Sequence, residues 1–144
     1  LLRWGLNEKG KAGNHIPDED VVNISGNSDY DAATNMMGKK WRLPTEKEFL
    51  ELINKCTWTL EKHVVNYGYR VTGPNGNSIF LPSRVSNYER DELKGDFWTS
   101  QSTKADWQGS RAICFGFASY WQEPHISSAF RYANFEIRAV CDND

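Results

Sequence analysis

The segment Trp41-Arg42-Leu43-Pro44-Thr45-Glu46-Lys47-Glu48-Phe49 constrains the fold more than any other part of this chain. Leu43 precedes a proline, whose ring disfavours a helical residue before it, so the chain enters the segment extended. Thr45 is placed to cap a helix with its hydroxyl. Glu48, three residues on, can reach back to the amide of Thr45, which completes a capping box. Phe49, Leu50, Leu52 and Ile53 follow at helical spacing and predict an apolar stripe facing a core, with the helix ending near Asn54 or Lys55. The segment offers no catalyst: it is scaffold that fixes Trp41 and a helix.

Other elements follow from local signals. Ser28 and Asp31 have cap-box spacing ahead of a short helix that Gly38 ends. Residues 1–28 show little periodicity beyond a strand near Trp4. Tyr69–Thr72 and Ser78–Leu81 read as a hairpin around Gly73-Pro74-Asn75-Gly76-Asn77, where Asn-Gly suits a turn with a positive φ. Residues 82–96 read as a polar loop. Phe97–Ser100 and Arg111–Phe117 read as strands, with Trp107 on the loop between them. Residues 118–128 look irregular, Phe130–Tyr132 reads as a short strand, and Glu136–Val140 alternates as a closing strand. Short strands, two early helices and long loops indicate one small α+β domain over residues 1–144.

A chain of 144 residues can bury roughly 70% of the surface it exposes when unfolded. Its formal net charge of −2 and the absence of a basic stripe argue against nucleic acid as a partner. No apolar run approaches the roughly 20 residues that cross a bilayer as a helix. Aromatic residues make up 13% of the chain, and ten of them fall from Phe97 to Phe135, where such side chains either fill a core or build an adhesive surface. Cys56, Cys114 and Cys141 lack metal-ligand spacing. Three buried free thiols is preferred over one bridge plus one thiol, and spacing does not decide between them.

Several motifs bear on chemistry. Gly5 to Ala12 resembles a phosphate-binding loop, but Ala12 stands where a magnesium-binding hydroxyl is needed. Asn27 to Asp31 alternates like the start of a calcium loop, yet Ala32 and Gly38 replace its glycine and its bidentate glutamate, so capping is preferred. His15, His63 and His125 are never at i,i+4 spacing, so no local zinc site is expected. Glu123-Pro124-His125 resembles the Glu-Pro-Asn tripeptide of calcium-dependent lectins, with His125 in place of the asparagine. No cofactor is expected; calcium through this tripeptide is the one candidate.

Four blocks together resemble a known family: Trp41 to Phe49 with Asp31-Ala32-Ala33 ahead of it, Asn75 to Pro82, Phe97 to Ser100, and Ile137 to Val140. They are similar to the formylglycine-generating/sulfatase-modifying-factor branch of the C-type lectin fold. Within it they look closest to the "Fibrobacter succinogenes major paralogous domain" group of exported or surface domains of Bacteroidetes. The likeness runs from about Trp4 to Cys141, with the family's first strand missing. It implies a C-type-lectin-like fold in which two helices flank small antiparallel sheets and the termini lie close together. It does not imply formylglycine chemistry, which needs two nearby reactive cysteines, whereas Cys114 and Cys141 are far apart in sequence.

A narrower resemblance is to retroelement-diversified variable proteins of phage and bacteria, which vary a C-terminal surface just ahead of a fixed strand. Phe135-Glu136-Ile137-Arg138 sits at the equivalent end, after a mixed aromatic and polar run from Ala118 to Asn134. Rigid rings interspersed with small polar groups are the composition of adaptable binding surfaces. Phe115, Phe117, Phe130 and Phe135 are assigned to the core. Trp107, Tyr120, Trp121, Gln122, His125, Arg131 and Tyr132 are the expected ligand-binding residues, with Arg131 and Gln122 supplying directional hydrogen bonds. The expected function is a non-catalytic module at the cell surface, outside the cell or on a phage particle, that binds a protein or glycan on another surface. A structural module of an adhesin or pilus protein is the first alternative, and a modifying enzyme of the formylglycine-generating type the second.

Overall fold

The computed structural model describes residues 1–5, 22–63, 66–87, 92–104, 107, 109–121 and 123–142. Over these residues the fold is α+β, with two helices and small antiparallel sheets. The Gly5–Ala12 motif beyond Gly5, His15 and Gln122 lie outside the described residues.

Helix α1 spans Ala32–Met37, and its cap is Asp31 rather than Ser28. Oδ1 of Asp31 accepts from the amides of Ala33 at 2.9 Å and Thr34 at 3.1 Å, which satisfies two orphan donors of the first turn. Oδ2 accepts from the amides of Gly26 and Leu43, so one fully buried carboxylate joins the turn before the helix to the Leu43-Pro44 segment. Gly38 ends the helix at φ 99°, a conformation open to glycine.

Strand β1 is Trp41–Arg42 and helix α2 is Glu46–Lys55, with the expected capping box between Thr45 and Glu48. Arg42 forks onto both Glu48 oxygens, at 2.7 and 2.9 Å, and its hydrogen bond holds the Glu48 carboxyl below the usual carboxylate range. Phe49 is buried and Leu52 and Ile53 are partly buried, but Leu50 is exposed. The buried stripe is narrower than expected because one core layer alone covers α2.

Strands β2 (Thr57–Lys62), β3 (Tyr67–Thr72) and β4 (Ser78–Pro82) form an antiparallel sheet in that order. The β3–β4 hairpin is where the sequence placed it, with Gly76 at φ 83° in the turn. β2 was not foreseen, because Thr57, Thr59, Leu60 and Lys62 are exposed and the two partly buried positions, Trp58 and Glu61, fall three apart instead of alternating.

A second sheet runs β5 (Arg84–Asn87), β6 (Glu92–Ser102), β7 (Arg111–Ala118), β8 (His125–Phe130). Two expectations fail here. Residues 82–96 are not one loop, since β5 and the start of β6 lie within them; their charges mark a sheet end that one layer leaves uncovered. Residues 118–128 are not irregular throughout either, because β8 begins at His125. It stops at Phe130, short of Arg131 and Tyr132. Ser127 and Ser128 dilute its alternation beyond recognition.

The closing strand is also shorter than expected: β9 is Val140–Cys141, paired with β1. The backbone before it divides among other partners. Phe135 exchanges hydrogen bonds with Leu2, while Glu136 donates to Asp96 and accepts from Trp98. Among the described residues Ile137, Arg138 and Ala139 join no strand ladder.

Two cores result. Trp4, Ile24, Leu43, Trp98, Ala112 and Cys114 form one; Phe49, Val71, Leu81, Phe97, Phe115 and Phe117 form the other. Adjacent residues of β6, Phe97 and Trp98, point to opposite faces and so serve different cores. Phe115 and Phe117 are core as expected, whereas Phe130 and Phe135 are only partly buried. The cysteines are free: Cys114 is buried, Cys56 partly so, and Cys141 is exposed, so burial of all three does not hold.

Candidate functional site

The register of the four-stranded sheet assigns side chains to faces, because directly opposed residues point the same way. On the front face the rows are Arg84–Lys94–Ala118, then Asp96–Gly116–His125, then Trp98–Cys114–Ser127. The Trp98 end of this face is sealed by Trp4, Ile24 and Leu43. The Arg84–His125 end carries charge instead. On the back face, Phe97, Phe115 and Ile126 lie under α2 and the β2–β4 sheet, and Arg111 and Phe130 sit at the far end. Among the described residues each face is thus covered over one half, and the halves they leave uncovered are diagonally opposed.

Tyr120, Trp121 and His125 gather at the charged front end. The Trp121 amide donates to the Ala118 carbonyl, turning the chain so that the indole meets the His125 ring edge-on at 4.7 Å and Tyr120 at 6.0 Å. Gly116 is the floor. A β-carbon there would stand 3.0 Å from Asp96 Oδ1 and 3.5 Å from the Trp121 ring, so any side chain would fill the space between acid and indole. Asp96 is largely buried and is ion-paired with Arg84 and, at 3.7 Å, with Lys94. On the other side of Trp121, a cavity of about 150 Å³ is lined by Trp58, Tyr69, Phe117, Glu123 and Pro124 as well as the indole.

Glu136 adjoins Asp96 through its backbone, and burial pushes its carboxyl above the usual range, with Arg84 opposing and Asp96 adding to the rise. A raised carboxyl holds its proton more tightly when folded, so its contribution to stability is present below the unfolded pKa and is lost as pH rises through the folded one. Glu136→Gln should therefore raise the urea midpoint relative to the parent protein at pH 8, and the advantage should vanish at pH 3. An advantage that persists unchanged in acid would show that charge burial is not the cause.

The remaining predicted residues do not join this group. Tyr132 is 65% exposed and stacks on Phe130 at 5.1 Å, while the Arg111 guanidinium lies 4.1 Å over the other ring system of the pair, Phe130. Trp107 is 91% exposed, two residues from Gly109, which borders Phe130. Five residue steps of β7 separate this patch from the Gly116 row, about 17 Å along the strand. Arg131 is a correction: it is buried, its guanidinium sits 4.9 Å over the Trp4 ring, and Nε donates to the Arg111 carbonyl. It fastens the turn to the core and has no surface to offer a ligand.

Sequence reasoning missed Arg84, Lys94, Asp96 and Glu136. A signal was present: Leu93, Gly95 and Phe97 alternate with Lys94 and Asp96, the pattern of a strand with one wet face.

Burial pushes the Cys114 thiol up while it contacts Ser127 Oγ at 3.3 Å, so at neutral pH it is a protonated thiol and a poor nucleophile. His63 pairs with Glu61 at 3.4 Å, far along the chain from His125. Among the described residues no three His, Cys, Asp or Glu side chains cluster as metal ligands. Among the described residues no helix is long and apolar enough to cross a membrane. Set against known protein families, curated proteins and solved structures, the chain gives no match.

Proposed function

We propose that this chain is a non-catalytic binding module of C-type-lectin-like fold, displayed outside the cell or on a phage particle, that holds a protein or glycan ligand on the uncovered front end of its sheet. The observation that carries the reading is the pairing there of an aromatic wall, Tyr120 and Trp121, with a charged bed, Arg84, Lys94 and Asp96, across a glycine floor. Rings of this kind stack on sugar faces or fill a partner's pockets, and the charged groups fix orientation. Two helices, small antiparallel sheets and the Leu2–Phe135 bridge near the two ends of the chain support the fold assignment.

Tyr120 is 56% exposed and His125 is exposed, so both can be truncated without opening a core. Tyr120→Ala/His125→Ala should weaken ligand binding about 100-fold on a glycan or protein array, the loss of two contacts of moderate hot-spot strength, with Tm nearly unchanged. Trp107→Ala/Tyr132→Ala probes the diagonal patch. If only that second pair abolishes binding, the ligand lies on the back face. Unchanged binding in both variants would sink the proposal.

A further inference from the structure

A cavity larger than the one beside Trp121 lies away from this surface. A cleft of about 400 Å³ opens between α2, the Gly73–Asn77 turn and the segment before β9, and its walls are mainly Pro44, Phe49, Leu52, Ile79 and Val140. That volume lies within the usual range for small-molecule sites, as does an apolar lining with few polar groups. A second hollow of about 160 Å³ shares Leu52, Cys56 and Ile79 with it, so an apolar ligand would have room to continue past the thiol.

Four charged residues line the cleft, and three have partners. Glu48 is held by Arg42 through both oxygens, and Glu51 faces Lys55 at 3.9 Å. Arg138 differs. It is partly buried against the apolar wall, and among the described residues it makes no hydrogen bond or ion pair. A guanidinium beside apolar surface gains from a planar anion that replaces lost water, and a carboxylate matches its fork.

We infer that this cleft binds a small amphipathic carboxylate, of the class of a medium-chain fatty acid, with its head on Arg138 and its tail along Phe49, Leu52 and Ile79 toward Cys56. The site is separate from the proposed front-face surface, and its occupation does not depend on the ligand bound there.

Sodium octanoate is the probe, with octan-1-ol as its neutral counterpart, titrated calorimetrically into the full chain. Octanoate should bind one to one, and at least about tenfold more tightly than the alcohol, the worth of a charge-assisted hydrogen bond. Arg138→Gln should bring octanoate down to the alcohol's affinity and leave the alcohol unaffected. Alkylation by iodoacetamide, read per peptide by mass spectrometry, gives an independent measure. Octanoate should slow labelling of Cys56 and leave exposed Cys141 unchanged. Equal affinity for octanoate and octanol in the parent protein would overturn the inference, whatever the variant does. So would unprotected Cys56, or protection of both cysteines alike, which marks a detergent effect.

Discussion

Asp31→Ala should strip the protein of about 4–8 kcal/mol, roughly half or more of the stability expected for a domain of this size. The carboxylate is fully buried and accepts four backbone N–H groups, from Gly26, Ala33, Thr34 and Leu43, all within 3.1 Å. Alanine removes every acceptor at once. Each buried donor left without a partner costs about 1–3 kcal/mol, so the total is about 4–8 kcal/mol even if water reaches some of them. A domain of this size is stable by only about 5–15 kcal/mol. Asp31→Asn discriminates the cause, since it keeps one acceptor oxygen but sets an NH₂ group against the two amides the other oxygen served. It should fall between alanine and the parent protein. Urea unfolding followed by circular dichroism measures both variants. An alanine variant with a midpoint near the parental one would show that Asp31 does not join these segments.

How much of this was legible in the sequence depends on whether a feature is local. The Thr45–Glu48 cap and the Asn75-Gly76 turn are written in adjacent residues, and both stand where they were expected. The acceptor role of Asp31 toward Leu43 joins positions twelve apart that no periodicity relates. Arg131 has the composition of a ligand contact, and its burial follows only from Trp4, which the fold brings from the other end of the chain. β5 and β8 failed for the opposite reason: as outer strands of a sheet covered over half of each face, they carry polar residues at positions where a strand pattern needs apolar ones. The same half-covering leaves open the front end where binding is proposed, so the segment that reads worst as structure is the one that carries the proposed surface.

Phe115→Ala should cost about 3–5 kcal/mol, the range for removing a buried ring, and lower Tm by about 10–15 °C. Phe115 is fully buried at the centre of the aromatic core. It stacks on Phe49 at 4.5 Å and 6°, and meets Trp58 at 5.7 Å, Phe97 at 6.3 Å and Phe117 at 6.5 Å. These rings come from α2, β2, β6 and β7, so no single neighbour can fill the void without dragging its own element along. Phe115→Leu should recover more than half of the loss, because it restores most of the volume while giving up the stacking. The functional readouts should separate. Phe49 both stacks on Phe115 and lines the Arg138 cleft, so octanoate binding should weaken in the alanine variant even at temperatures where it is fully folded. Tyr120 and His125 stand on the front of the sheet, beyond Gly116, and recognition through them should persist under the same conditions. If both activities fall together while the variant is fully folded, the two faces are coupled through the sheet and the cleft is not an independent site.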